Sequence, residues 1–207
     1  SVEGGLAESR YVFLAGVGLP NDWFGKRQFT IAELGFGTGL NFLTTWKAWL
    51  DSKQSGQLHF VSVEGYPMGP DDLYRSHQAF PEIHELSECL RNMLPERSAG
   101  YHLLRFDHGQ VNLLLIYSHV ANAFKGMHFK ADAWLLDGFA PSRNPEMWTE
   151  ELFYGVASLA KIGSRIATFT VAGTVRRGLE EVGFDLIKRP GFGSKRECLS
   201  GYFRSST

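Results

Sequence analysis

The segment ELGFGTGLNF, residues 33–42, constrains the fold of this chain more than any other. An apolar run at 29–34 breaks into glycines at Gly35, Gly37 and Gly39, and an apolar pattern of helical period follows over 40–50. Strand, tight turn, helix is the order this implies, because glycine admits the left-handed backbone a strand needs to turn sharply into a helix. A polar break at 51–56 leads into LHFVSVEGYP, a strand that ends on Glu64 and stops at Pro67. The unit is βαβ, whose two strands lie parallel.

The rest of the chain extends that unit. Over 71–97, Leu73, His77, Phe80, Ile83, Leu86 and Leu90 recur at roughly helical spacing and predict one or two helices broken near Pro81. Strands are predicted at 101–106 and 111–117, a short helix at about 119–125, and a buried strand in AWLLDGFAP that presents Asp137 at its carboxyl end. An amphipathic helix over 150–161 follows, then a strand introduced by Gly163 through SRIATFTVA, and a helix over 173–182 that ends at Gly183. The last stretch, FDLIKRPGFGSKRECLSGYF, holds two β-type runs around a glycine-rich turn and closes the chain as an antiparallel pair at the sheet edge. Strands alternating with helices describe a doubly wound α/β sheet, and one domain accounts for all 207 residues.

Composition mainly excludes. A net charge of −1 gives no global signature of a nucleic-acid backbone binder. Arg176, Arg177, Lys188, Arg189, Lys195 and Arg196 nonetheless gather in the last third, either as a phosphate-facing surface or as solvated charges partnered by Glu180, Glu181 and Asp185. Cys89 and Cys198 form no metal-ligand spacing and read as free thiols, and the histidines show no HExxH pattern, so no metal site is expected. No run approaches eighteen apolar residues and the opening residues lack the sections of a signal peptide, so the expected location is cytoplasmic. Residue 1 is serine rather than methionine, as in a piece trimmed from a longer protein.

Chemistry enters through two acids. Glu64 ends the second strand 25 positions beyond Gly39, where nucleotide-binding α/β folds place an acid on ribose hydroxyls. Dinucleotide sites space their glycines GxGxxG and hold a pyrophosphate at the helix N-terminus; the GxGxG spacing here favours S-adenosyl-L-methionine, which has a sulfonium cation and no phosphate. An NAD-linked oxidoreductase is the second reading, and a nucleic-acid-binding module whose catalytic site has decayed is a third. Asp137 is placed to orient an attacking amine or accept its proton, or simply to cap a turn. Phe139 and Pro141 would wall a slot for a flat base, or pack in the core. Trp46, Trp49 and Trp134 read as core and Trp148 as rim, while Lys195 and Arg196 sit in a GFGSKR turn that either contacts substrate or merely links two strands.

ELGFGTGLNF, DAWLLDGFAPSRNPEMW, and RRGLEEVGF with KRPGFGSKRE together resemble the methyltransferase domain of the MnmC family, in order from about Gly5 to Phe203. The resemblance implies a Rossmann-like fold of the S-adenosyl-L-methionine-dependent methyltransferases, with a mostly parallel sheet and a C-terminal antiparallel hairpin. It implies methylation of the primary amine of 5-aminomethyl(-2-thio)uridine at the tRNA wobble position. Gly35, Phe36, Gly37, Gly39, Leu40 and Asn41 would line the methionine end of the cofactor, Glu64 would hold its ribose, and Asp137 would sit beside the reacting methyl as the catalytic group. The family often fuses this domain to a flavin-dependent oxidoreductase, for which the chain carries no second domain, and usually has an N-terminal segment that precedes this chain's start. Where the family has Gly-Asp after the strand matching 111–117, an acid expected near the adenine, this chain has Ser118 and His119; Asp107, a weaker acid nearby, is not assigned to the cofactor.

Overall fold

The computed structural model describes residues 4–124, 126–138 and 147–205. Its strands are β1 (Gln28–Leu34), β2 (Gln57–Glu64), β3 (Gly100–Phe106), β4 (Val111–Tyr117), β5 (Ala131–Leu136), β6 (Ala160–Thr168), β7 (Phe184–Pro190) and β8 (Glu197–Phe203). They form an eight-stranded sheet in the order β3-β4-β2-β1-β5-β6-β8-β7. The five strands from β4 to β6 in that order run parallel, while β3 and the β7–β8 pair are antiparallel to their neighbours. From β1 the chain first builds outward through β2 and β4, then returns to β5 on the other side. Beyond the carboxyl ends of β1 and β5 such a reversal leaves a crevice, because the connections diverge there.

Side-chain alternation assigns the two faces. In β1, Phe29 and Ile31 join one core with Phe42, Leu43, Trp46 and Trp49 of helix α2 (Leu40–Asp51), while Ala32 and Leu34 join the other. That second core takes Leu152, Phe153 and Val156 from α6 (Glu150–Leu159) and Val175 and Leu179 from α7 (Gly173–Glu181). β5, central and covered on both sides, is buried at every position. Each fully buried large apolar side chain contributes about 1.5–3 kcal/mol, so a strand of this kind is pinned in register. The segment 71–97 becomes α3 (Pro70–His77) and α4 (His84–Met93) with a 3-10 turn at Pro81–Ile83, and α5 (Val120–Ala123) is the short helix after β4.

Four features depart from the sequence reading. α6 stops at Leu159 and β6 begins at Ala160, before Gly163, because Ala160 pairs with Ala131 and the Ser164 hydroxyl donates to the Ala131 carbonyl across a bulge. β6 also ends at Thr168, short of the predicted Ala172. Trp148 is buried in the α6–α7 core, its ring 6.4 Å from that of Phe153, not on a rim. The first residues, given no element from sequence, form helix α1 (Gly5–Glu8), which continues as a π-helical turn (Ser9–Leu14) and a 3-10 turn (Ala15–Val17). Leu6, Val12, Phe13 and Val17 seal that segment over the α2 face of the sheet.

Candidate functional site

The three loop glycines all adopt positive φ, each for a different reason. At Gly35 (φ 83°) β1 and β5 approach so closely that a Cβ would lie 3.0 Å from the Asp137 carbonyl oxygen. At Gly39 (φ 77°), the residue that starts α2, a Cβ would lie 2.7 Å from the Phe36 ring. Gly37 (φ 53°) has open space where a Cβ would be, so the loop presents bare backbone outward. Glu64 stiffens this loop: its Oε2 accepts from the Gly37 N–H at 2.7 Å and its Oε1 from the Tyr66 N–H at 2.7 Å. Each carboxylate oxygen has two lone pairs, so one on each stays available to an outside donor such as a ribose hydroxyl.

Beneath the loop lies a buried polar network that alternation brings together. Glu33 and Ser62 are register partners on β1 and β2, facing α2, and the Ser62 hydroxyl donates to Glu33 Oε2. From α2 above, the Asn41 amide spends its two hydrogens on two acids, Glu33 Oε1 at 2.9 Å and Asp137 Oδ2 at 2.8 Å. Its own Oδ1 accepts from the Ser9 hydroxyl at 2.6 Å, which fixes the amide's orientation, since a reversed amide would face the acids with oxygen. Burial pushes the Glu33 carboxyl well above the usual range, against the hydrogen bonds of Ser62 and Asn41. Burial likewise raises Asp137 to about 7; the Asn41 hydrogen bond opposes that shift, Glu8 adds to it, and Lys195 opposes it. Asp137 keeps some accessibility through the cavity it faces, but protein encloses the carboxyl on its other sides and dominates its titration.

His77 of α3 supports the loop from outside. Its Nε2 lies 2.8 Å from the Thr38 carbonyl oxygen and its Nδ1 2.7 Å from Ser87 Oγ. A carbonyl can only accept, so Nε2 carries the proton and Nδ1 accepts from the serine hydroxyl. Burial lowers the imidazole's pKa and favours this neutral form.

These groups border a cavity of about 860 Å³ at the carboxyl ends of β1, β2 and β5. Of the residues the family resemblance assigns to the cofactor, Gly35, Phe36, Gly37, Leu40, Asn41, Glu64 and Asp137 line this cavity, while Gly39 lies behind its surface and starts α2. Tyr66 and His119 form one flank, their rings 6.2 Å apart and perpendicular, so an imidazole stands where an acid was sought. Asp107 lies away from this cavity and accepts from the Trp46 indole N–H. Lys195 lines the opposite flank with Glu8, Phe13 and Phe169, whereas Arg196 is exposed and outside the lining. Phe139 and Pro141 lie outside the described residues.

Four of the six cations of the last third are tied to other groups. Arg176 pairs with Glu180, Lys188 with Glu197 and Lys195 with Glu8, and Arg189 donates to the Tyr11 carbonyl. A smaller depression of about 530 Å³, bordered by residues 25–28 and 53–57, lies at the amino ends of β1 and β2 and contains no acid. Glu8, Ser9, Glu33 and His77 escaped the sequence reading. Glu33 stood inside the glycine motif as a polar residue in an apolar strand, the one signal that was legible.

The family model for S-adenosyl-L-methionine-dependent methyltransferases matches residues 81–204. The chain is 47% identical over 205 residues to the tRNA 5-methylaminomethyl-2-thiouridine biosynthesis bifunctional protein MnmC of Cupriavidus necator, covering 99% of this chain and 31% of that one. Against the protein of the same name from Thiobacillus denitrificans the identity is 46%, over 98% of this chain and 33% of the other. The chain thus spans about a third of the length of the curated relatives it matches. MnmC2 from Aquifex aeolicus superposes with a TM-score of 0.79 at 19% identity, over 97% of this chain and 61% of that one. The glycopeptide N-methyltransferase MtfA, solved with sinefungin, gives 0.54 at 13% identity, over 98% and 87%. At such identities the two structures show the fold.

Proposed function

Since the chain belongs to the S-adenosyl-L-methionine-dependent methyltransferase family, we propose that it methylates the primary amine of 5-aminomethyluridine, thiolated or not, at the wobble position of tRNA. The observation that carries this reading is Asp137, an acid enclosed by protein, hydrogen-bonded to Asn41 and facing the cavity bordered by the glycine loop. The cavity suits the cofactor. The bare backbone at Gly37 admits close approach, and the free lone pairs of Glu64 suit ribose hydroxyls. Among the described residues that line it, the acids Glu8, Glu64 and Asp137 outnumber the cation Lys195, a balance that fits a sulfonium and an amine and disfavours the pyrophosphate of a dinucleotide. This argues against the NAD-linked reading. The intact loop and paired acids argue against a decayed binding module.

S-adenosyl-L-methionine, when bound, supplies an electrophilic methyl group and leaves as a neutral thioether. The substrate arrives largely as an ammonium ion and must become a neutral amine before its nitrogen can bond the methyl carbon. Asp137 in its ionised form accepts a hydrogen bond from that nitrogen and then the proton it sheds. Asn41 holds the carboxylate in place through Oδ2 and leaves Oδ1 for the amine. Loop and carboxylate are fixed before the substrate arrives, which lowers the entropic part of the barrier.

The relatives are bifunctional by name and this chain covers about a third of them; on the family resemblance, a flavin-dependent oxidoreductase, fused or separate, would prepare the amine. No helix among the described residues is long and apolar enough to cross a membrane, and a cytoplasmic setting with tRNA as partner fits. Labelled methyl transfer tests the reading directly. We expect label on tRNA carrying 5-aminomethyluridine and none on unmodified tRNA; no label on either, with cofactor affinity demonstrated, would reject the substrate.

A further inference from the structure

The cavity already contains a primary amine. Lys195 reaches in from the turn between β7 and β8, its Nζ 2.7 Å from Glu8 Oε1 and 4.2 Å from the centre of the Phe169 ring. A carboxylate on one side and an aromatic face on another are the two groups by which proteins hold an ammonium ion. Glu8 and Phe169 line the same cavity as Asp137, and Glu8 and Lys195 both act on the titration of Asp137, in opposite directions. The pair is also easy to open: the side chains of Lys195 and Glu8 are 43% and 32% exposed, so water competes for both.

We propose that Glu8, with the face of Phe169, is the seat for the substrate's amino group, and that Lys195 Nζ occupies this seat until the incoming ammonium displaces it. The proposal rests on the amine-methylation reading above and names the residue that recognises the amine. The exchange conserves charge, since one ammonium replaces another on the Glu8 carboxylate while Lys195 turns out to solvent at the cavity mouth. Glu8 then holds the substrate nitrogen as an ammonium beside Asp137, which receives its proton. The seat also selects: a uridine without the aminomethyl group offers nothing to replace Lys195.

Removing the two partners has effects of opposite sign. Steady-state kinetics with aminomethylated tRNA should show a KM for Glu8→Gln raised about tenfold or more, as for the loss of one charge-assisted hydrogen bond. Lys195→Met should leave KM unchanged or lower it, because the seat is then empty. Affinity for S-adenosyl-L-methionine by calorimetry should match wild type in both. Should both variants raise KM alike, the pair is a strap between α1 and the hairpin; should Glu8→Gln leave KM unchanged, the amine sits elsewhere. Either result overturns the seat while the wild type still methylates, whereas a wild type that binds cofactor but methylates no aminomethylated tRNA overturns the function and the seat with it.

Discussion

The cavity has a floor and a roof built on opposite principles. The floor ties β1, α2, β2 and the end of β5 together through largely buried bonds, Asn41 to Glu33 and Asp137 and Ser62 to Glu33, and α3 braces the glycine loop through His77 and the Thr38 carbonyl. The roof joins the first helical segment to the β7–β8 hairpin through half-exposed contacts: Lys195 to Glu8, Arg189 to the Tyr11 carbonyl, and the Tyr11 hydroxyl to the Pro190 carbonyl. A buried bond keeps its full electrostatic strength, while an exposed one is shared with water and exchanges readily. The difference separates two tasks. Geometry that must be fixed for displacement at a methyl group is built below, and contacts that must give way to a macromolecular substrate are built above.

The floor should therefore break expensively and the roof cheaply. Asp137→Asn keeps the shape but cannot accept a proton, and should lower kcat by about 10²- to 10⁴-fold with cofactor affinity little changed, measured by single-turnover transfer and calorimetry. Asn41→Leu strips donors from two acids and an acceptor from Ser9 at once. It should cost about 2–4 kcal/mol in denaturant unfolding, and a cost below 1 kcal/mol would show that the network is slack. Glu33→Gln tests whether the deepest acid is already neutral: an amide resembles a protonated carboxyl, and the Ser62 hydroxyl can turn to accept from it. Unfolding should then change by less than about 1 kcal/mol at neutral pH, against several for a buried carboxylate that had been charged. Breaking the roof pair with Lys195→Met should change stability least, by well under about 1 kcal/mol.

The same division explains what could be read from the sequence. The floor lies in contiguous motifs: strand, glycine turn and helix come from one stretch of ten residues, and Glu64 and Asp137 each end an apolar run. Local pattern singles out Gly35, Gly37, Glu64 and Asp137, the family resemblance adds Leu40 and Asn41, and all six line one cavity. The roof depends on partners 179 and 187 positions apart, Tyr11 with Pro190 and Glu8 with Lys195, and no periodicity announces such a pairing. Glu8 is one acid on a short helix, and Lys195 one cation in a turn. Trp148 misled for a related reason: its neighbourhood looks like a loop, yet the ring turns inward onto Phe153. β3 was legible as a strand, but its antiparallel pairing at the far edge is settled by the tight turn at Asp107–Gly109 that returns it along β4.

The floor holds Asp137 poised between its two protonation states near neutral pH. An acid whose pKa rises on folding binds its proton more tightly in the native state. Its contribution to stability is thus fully present below the unfolded carboxylate range and is lost as pH rises through about 7, while its capacity to accept a proton is gained over the same rise. Carbon-13 titration of the side-chain carboxyls by NMR, with Asp137→Asn to assign the signal, measures this directly. A carboxyl signal with its midpoint near 7 that vanishes in the variant is the predicted result; a midpoint for Asp137 near 4, the ordinary range for an exposed aspartate, would contradict it.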